Sequence, residues 1–150
     1  MREYTLSGRR QGTFAGATVS ADDPFIQAEF GQYWVEAQAA RAYFDTTIQT
    51  VQAEWERRRE LTDDERSKIA LETLSLRTFA SRTALEITPR IFELAGGRGT
   101  AWAADFDQYW RDVRTLSSHD PEVLARRVIG QHTLHGTSLV FPTHFRPRTH

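Results

Sequence analysis

Asp23-Pro-Phe-Ile-Gln-Ala-Glu-Phe-Gly-Gln-Tyr-Trp-Val-Glu-Ala37 combines a helix start with the beginning of a helical apolar stripe. An aspartate before a proline is a helix N-terminus in chemical terms. The carboxylate accepts from a backbone N–H with no helical partner, and proline suits the first helical position because its missing N–H is not needed there. Downstream, Phe25, Ile26, Phe30, Tyr33, Trp34, Ala37, Phe44, Ile48, Val51 and Trp55 recur mostly three or four residues apart. That spacing predicts one apolar face on a helix running to about residue 59. The last turns, Glu54 to Glu60, are charged around Trp55 and predict a solvated tip.

Thr62-Asp-Asp-Glu65 is a capping box, so a second helix is expected at once, antiparallel to the first across a short connection. Its stripe runs through Ile69, Leu74 or Leu76, Phe79, Ala84 or Leu85, Ile87, Ile91 and Leu94, with Pro89 expected to kink or split it. Gly96, Gly97 and Gly99 end the segment. A third helix is expected over about 100–116, carrying Trp102, Phe106, Tyr109, Trp110, Val113 and Leu116. A fourth, capped by Asp120-Pro121, should end near Gly130. Helices with single apolar faces predict an all-α fold, an antiparallel up-down four-helix bundle. Residues 1–22 read as a polar leading segment, 23–136 as the helical bundle, and 137–150 as an irregular tail.

The 150 residues hold 19 basic and 20 acidic side chains, for a formal charge of −1, and no basic stripe. No nucleic-acid partner is expected from that balance. No apolar run approaches a membrane span and no hydrophobic signal core begins the chain, so no membrane partner is expected. Cysteine is absent, which removes disulfides and thiolate metal sites and agrees with a cytoplasmic setting. His132, His135, His144 and His150 lack acidic companions, since no Asp or Glu follows Glu122; no metal site is expected.

Chemistry concentrates in Phe92-Glu-Leu-Ala-Gly-Gly97 and in Tyr109-Trp-Arg-Asp-Val-Arg-Thr-Leu-Ser-Ser-His-Asp-Pro121. Paired glycines have two readings: a helix C-cap, or a bare backbone that a ligand or neighbouring chain approaches closely. His119 is either a loop histidine or a group that titrates near neutrality and donates to a developing oxyanion or peroxide oxygen. Asp112 is expected to pair with an arginine one turn away, worth about half a kcal/mol. Trp34, Trp102 and Trp110 are expected in the core.

Tyr4-Thr-Leu6, Arg9-Arg-Gln11, Asp23 to Gly31 with Ala40-Arg41, Glu93-Leu-Ala-Gly-Gly97, and Trp110 to Thr115 with His119-Asp-Pro121, Ile129-Gly130 and Leu134-His-Gly136 carry a resemblance over nearly the whole chain. The chain resembles the C-terminal helical domain of the acyl-CoA dehydrogenase superfamily, and in particular its flavin-dependent, dibenzothiophene monooxygenase-like branch. The resemblance implies His119 as the catalytic group, beside the isoalloxazine ring where it helps stabilise a flavin hydroperoxide. It implies Arg9, Glu93, Gly96 and Gly97 as cofactor-binding residues, the glycines often serving across a subunit interface. It further implies reduced FMN, or FAD, as cofactor, a flavin reductase as partner, and a homo-oligomer, dimer or tetramer, built through the helices.

Two positions depart from the family. Leu116 stands where sulfur-oxidising members often carry a second histidine, and Glu93 where many dehydrogenases have glutamine. Enzymes of this superfamily also use an N-terminal helical domain and a middle β-domain, neither of which fits in this length. The chain on its own is therefore expected not to complete a reaction. Two further readings stay open: a non-catalytic helical assembly module, and an FAD-binding dehydrogenase-type domain.

Overall fold

A computed structural model describes residues 2–8, 19–57 and 60–139. Five α-helices account for most of them: α1 (Arg2–Ser7), α2 (Pro24–Arg57), α3 (Asp63–Ala95), α4 (Asp107–Ser118) and α5 (Glu122–His135). No β-strand occurs among the described residues, and the fold is all-α. The contacts divide it into two compact units, Met1–Arg41 with Ala80–His119, and Ala42–Phe79 with Asp120–His150.

In the first unit, α1 forms within the leading segment, where the sequence carries no period. Ser20 donates its N–H to the Gly8 carbonyl at 2.9 Å, closing the chain on itself. Asp23 caps α2 as expected, its Oδ1 accepting from the Phe25 N–H at 2.9 Å. The core is small: Ile26, Tyr33 and Leu94, with Phe30 and Ile87 packed against it. Ile87 lies two residues from Pro89, and α3 passes through that proline without splitting. Packing of the flanking turns outweighs one lost helical hydrogen bond.

The third expected helix begins seven residues late. After α3 the chain makes two 3-10 turns, Gly97–Thr100 and Trp102–Ala104, and then a left-handed residue, Asp105, at φ 46°. Phe106 is anchored edge-on against Tyr4, ring centroids 5.0 Å apart. Gly99 sits so tightly under it that an added Cβ would collide with that of Ala95 and touch the rings of Phe92 and Phe106. Trp34, Trp102 and Trp110 are all at the surface rather than in the core, Trp102 at 98 % exposure. The apolar stripes are wider than this small core covers.

In the second unit, Tyr43 packs on Phe79 and Arg57 bonds Glu65, so α3 numbers fall as α2 numbers rise; the two helices run antiparallel there. The capping box forms in both directions. Glu65 Oε2 accepts from the Thr62 N–H at 2.8 Å, and Thr62 Oγ1 accepts from the Glu65 N–H at 3.3 Å. Helix α5 continues through Gly130, where the sequence suggested an end, and stops at left-handed Gly136, whose N–H reaches the His132 carbonyl at 2.8 Å. Pro121 occupies the N-cap position of α5, and the Asp120 carboxylate pairs with Arg77 at 3.0 Å. Buried Ser67 accepts the Leu139 N–H at 2.6 Å, fastening the segment after α5. No helix of the described residues is long and apolar enough to cross a membrane.

Candidate functional site

Glu93, Gly96 and Gly97 lie together where α3 ends. Gly96 holds φ 65° and ψ −171°, a combination essentially confined to glycine, and donates its N–H to Phe92 O at 2.8 Å. Gly96 is thus a helix terminator by geometry. Gly97 has no atom within 4 Å of where a Cβ would stand, so its backbone presents an open face. Arg9 lies outside the described residues, as do His144 and His150.

Glu93 belongs to a cluster that the sequence did not announce. Its Oε2 is 2.7 Å from the Tyr33 hydroxyl and 3.4 Å from Arg90 Nε. Glu29 Oε2 approaches the same hydroxyl at 2.9 Å and Arg90 at 2.9 Å. The guanidinium also lies over the Tyr33 ring, 4.9 Å from its centroid. Burial, then the bonds to Glu93 and Glu29, push the phenol well above its ordinary ionisation range. Tyr33 reads as one more apolar-stripe residue in the sequence; only pairing across 60 positions reveals its polar role.

His119 is the C-cap of α4, exposed, with its N–H donating to Leu116 O at 3.3 Å. The ion pairs on this helix join Arg111 to Asp107, one turn earlier, at 3.2 Å and to Asp105 at 3.6 Å; Asp112, expected to pair, takes no part in them. Helix α4 has twelve residues, about 18 Å of rise at 1.5 Å each. Its start packs near Gly99 through Phe106, and His119 stands at its opposite end. The chain groups Glu93 with the glycines and sets His119 apart. His132 and His135 lie on α5, and among the described residues no three His, Cys, Asp or Glu side chains gather as a metal requires.

Cavities open among the described residues of each unit. One of about 370 Å³ in the first unit is walled by Leu6, Ile26, Phe30 and Trp34, with Arg2 at its edge. One of about 280 Å³ in the second is walled by Leu74, Leu124 and Val128 beside Arg77 and Asp120.

Residues 3–121 match the family described as acyl-CoA dehydrogenase, C-terminal domain. The chain is similar to the dibenzothiophene monooxygenase of Mycolicibacterium goodii, 35% identical over 133 residues that cover 89% of this chain and 32% of that protein. It is likewise 35% identical to a probable FMNH2-dependent monooxygenase, SfnC, of Pseudomonas putida, over 80% of this chain and 30% of the relative. Among solved structures it resembles TdsC from Paenibacillus sp. A11-2 in complex with FMN and indole. That likeness has a TM-score of 0.83 and 31% identity, covering 91% of this chain and 35% of the other. The chain thus spans about a third of the length of the relatives it matches. By fold and by sequence, it belongs to the acyl-CoA dehydrogenase C-terminal domain family.

Proposed function

We propose that this chain is the C-terminal helical part of a two-component, FMNH2-dependent monooxygenase, supplying one wall of the flavin pocket and an oligomer interface. The observation that carries the reading is similarity in sequence and in fold, across about nine-tenths of the chain, to monooxygenases, one of them solved with FMN. Reduced FMN, delivered by a separate flavin reductase, supplies the electrons that activate oxygen for transfer of one atom to an apolar or aromatic substrate. The chain's own contribution is positional and electrostatic. The His119 imidazole donates a hydrogen bond where negative charge develops on oxygen. Gly96 and Gly97 let a planar ring or a neighbouring chain approach the backbone, a role that the open face at Gly97 suits. Arg9 and Glu93 complete the cofactor-side group, with Glu93 held in place by Tyr33 and Arg90.

Fluorescence titration of the purified chain with FMN and FAD, with its oligomeric state measured in parallel, tests the pocket-wall role. In the enzyme with its flavin pocket complete, His119→Ala uncouples oxygen use from substrate oxidation. Unchanged hydroxylation with no excess hydrogen peroxide sinks the role of His119.

The exposed Trp34, Trp102, Trp110 and Leu134 favour a second reading, a helical assembly module without flavin chemistry. A colourless oligomer blind to both flavins supports it, whereas preference for FAD over FMN supports a dehydrogenase-type domain.

A further inference from the structure

The cavity of about 370 Å³ in the first unit has the size of a small-molecule pocket. Its floor is buried Ile26, with Phe30 packed on the same core. Leu6 of α1 and Trp34 of α2 also wall it and are 52% and 58% exposed, so part of the apolar wall stands in water. Two contacts brace the α1 side: the Tyr4 ring lies edge-on to Phe106, and Gly8 O accepts from the Ser20 N–H at 2.9 Å. Gly31 gives a second, independent observation. It lies in the interior of α2, where glycine is a poorer helix former than alanine. It lines the cavity, and no atom lies within 4 Å of where its Cβ would stand. Packing does not call for a glycine there; a bare backbone along the wall of a binding pocket does. Among the polar wall residues, Thr5 is buried and Gln27 donates its Nε2 to Ala21 O at 2.8 Å. Arg2, the one charged residue of the wall, is exposed.

We propose that this pocket binds a small aromatic acid. A flat ring system lies against Phe30 and Trp34 over the bare Gly31 backbone, and its carboxylate meets the Arg2 guanidinium. Two aromatic wall residues favour a ring over an acyl chain, which would gain no stacking. The guanidinium offers a planar fork of donors that matches a carboxylate. The pocket uses none of Glu93, Gly96, Gly97 and His119, so it is a site apart from the flavin reading and is tested apart from it.

The test is titration of the whole chain with 2-naphthoate and with its neutral counterpart 2-naphthamide, followed by NMR at the Gly31 amide and the Trp34 indole N–H. Naphthoate shifts both signals and binds about three- to tenfold more tightly than the amide. Arg2→Gln removes that difference. Gly31→Ala separates the pocket from the helix. It raises the thermal midpoint by about 2 °C, because alanine is the better helix former. It also weakens naphthoate about tenfold, because the methyl group takes space the ring needs. No shift at Gly31 or Trp34 overturns the proposal, and so does equal binding of acid and amide. Naphthoate affinity that Gly31→Ala leaves unchanged overturns it too. Displacement of naphthoate by FMN does the same, since the probe would then occupy a flavin site. Naphthoate shifts that persist at high FMN uphold the pocket as a separate site.

Discussion

Tyr33 on α2 donates its phenolic proton to Glu93 on α3 across 2.7 Å, and the same oxygen lies 2.9 Å from Glu29. One proton therefore stands between two carboxylates, with Arg90 offsetting part of their charge. Ionising this phenol would put a third negative charge in a group with one cation. The hydroxyl acts as a neutral spacer that keeps two like charges on different helices compatible.

Tyr33 is expected to stay protonated in the folded chain well past pH 10, the ordinary phenol value from which burial and the two carboxylates raise it. The unfolded chain loses that proton first, so folding stability is full below pH 10 and falls as pH rises through and beyond that value. Tyr33→Phe removes this alkaline loss and, at neutral pH, costs about 1 kcal/mol for the missing hydrogen bond. Ultraviolet tyrosinate absorbance and urea unfolding from pH 7 to 11 report both. A native-state tyrosinate signal at pH 10 that disappears in Tyr33→Phe would count against the shared proton.

At the other end of the scale, Glu65 is held down to about pKa 2, first by the bond from Arg57 and then by the Thr62 backbone N–H. The unfolded state binds its proton first on acidification. The stabilisation is therefore present above the ordinary value near 4.5 and is lost as pH falls towards 2. Carboxyl-carbon NMR should find the Glu65 midpoint near 2, and Glu65→Gln should free the Arg66 amide, which bonds Thr62 O at 3.0 Å, to exchange faster at neutral pH. A Glu65 midpoint near the ordinary carboxylate value would refute the two-way cap.

Neighbouring glycines should respond oppositely to a methyl group. Gly99→Ala drives a Cβ into that of Ala95, which has no rotamer to swing away, and should cost about 1–3 kcal/mol by overpacking. Gly97→Ala meets open space and should leave the unfolding free energy within about 0.5 kcal/mol. If the Gly97 backbone is approached by a flavin, the same silent substitution weakens FMN binding. Thermal unfolding and FMN titration of both variants separate the two effects.

What the sequence made legible was local. The Asp23-Pro24 start and the Thr62/Glu65 box specify themselves within four residues, and the stripes of α2 and α3 follow from helical period alone. The misses are long-range. The late start of α4 depends on Phe106 meeting Tyr4, about a hundred positions away, and on Asp105 turning left-handed. Gly130 has the same composition signal as Gly136, yet only the latter adopts the αL cap. At the candidate site, the glycines and His119 stood out as residues, but no spacing rule revealed that Arg77 pairs with Asp120 or that Tyr33 donates to Glu93.

Trp102 sits in a 3-10 turn between two constrained points, tightly packed Gly99 and left-handed Asp105, with its indole almost wholly in water. Its backbone is fixed while its ring is free to meet another surface. With Trp34, Trp55 and Trp110 replaced by Phe, Trp102 becomes a fluorophore for contact: its water-exposed emission turns blue when a second surface covers it. Trp102 thus places an optical reporter beside the glycine turn, readable without an attached label.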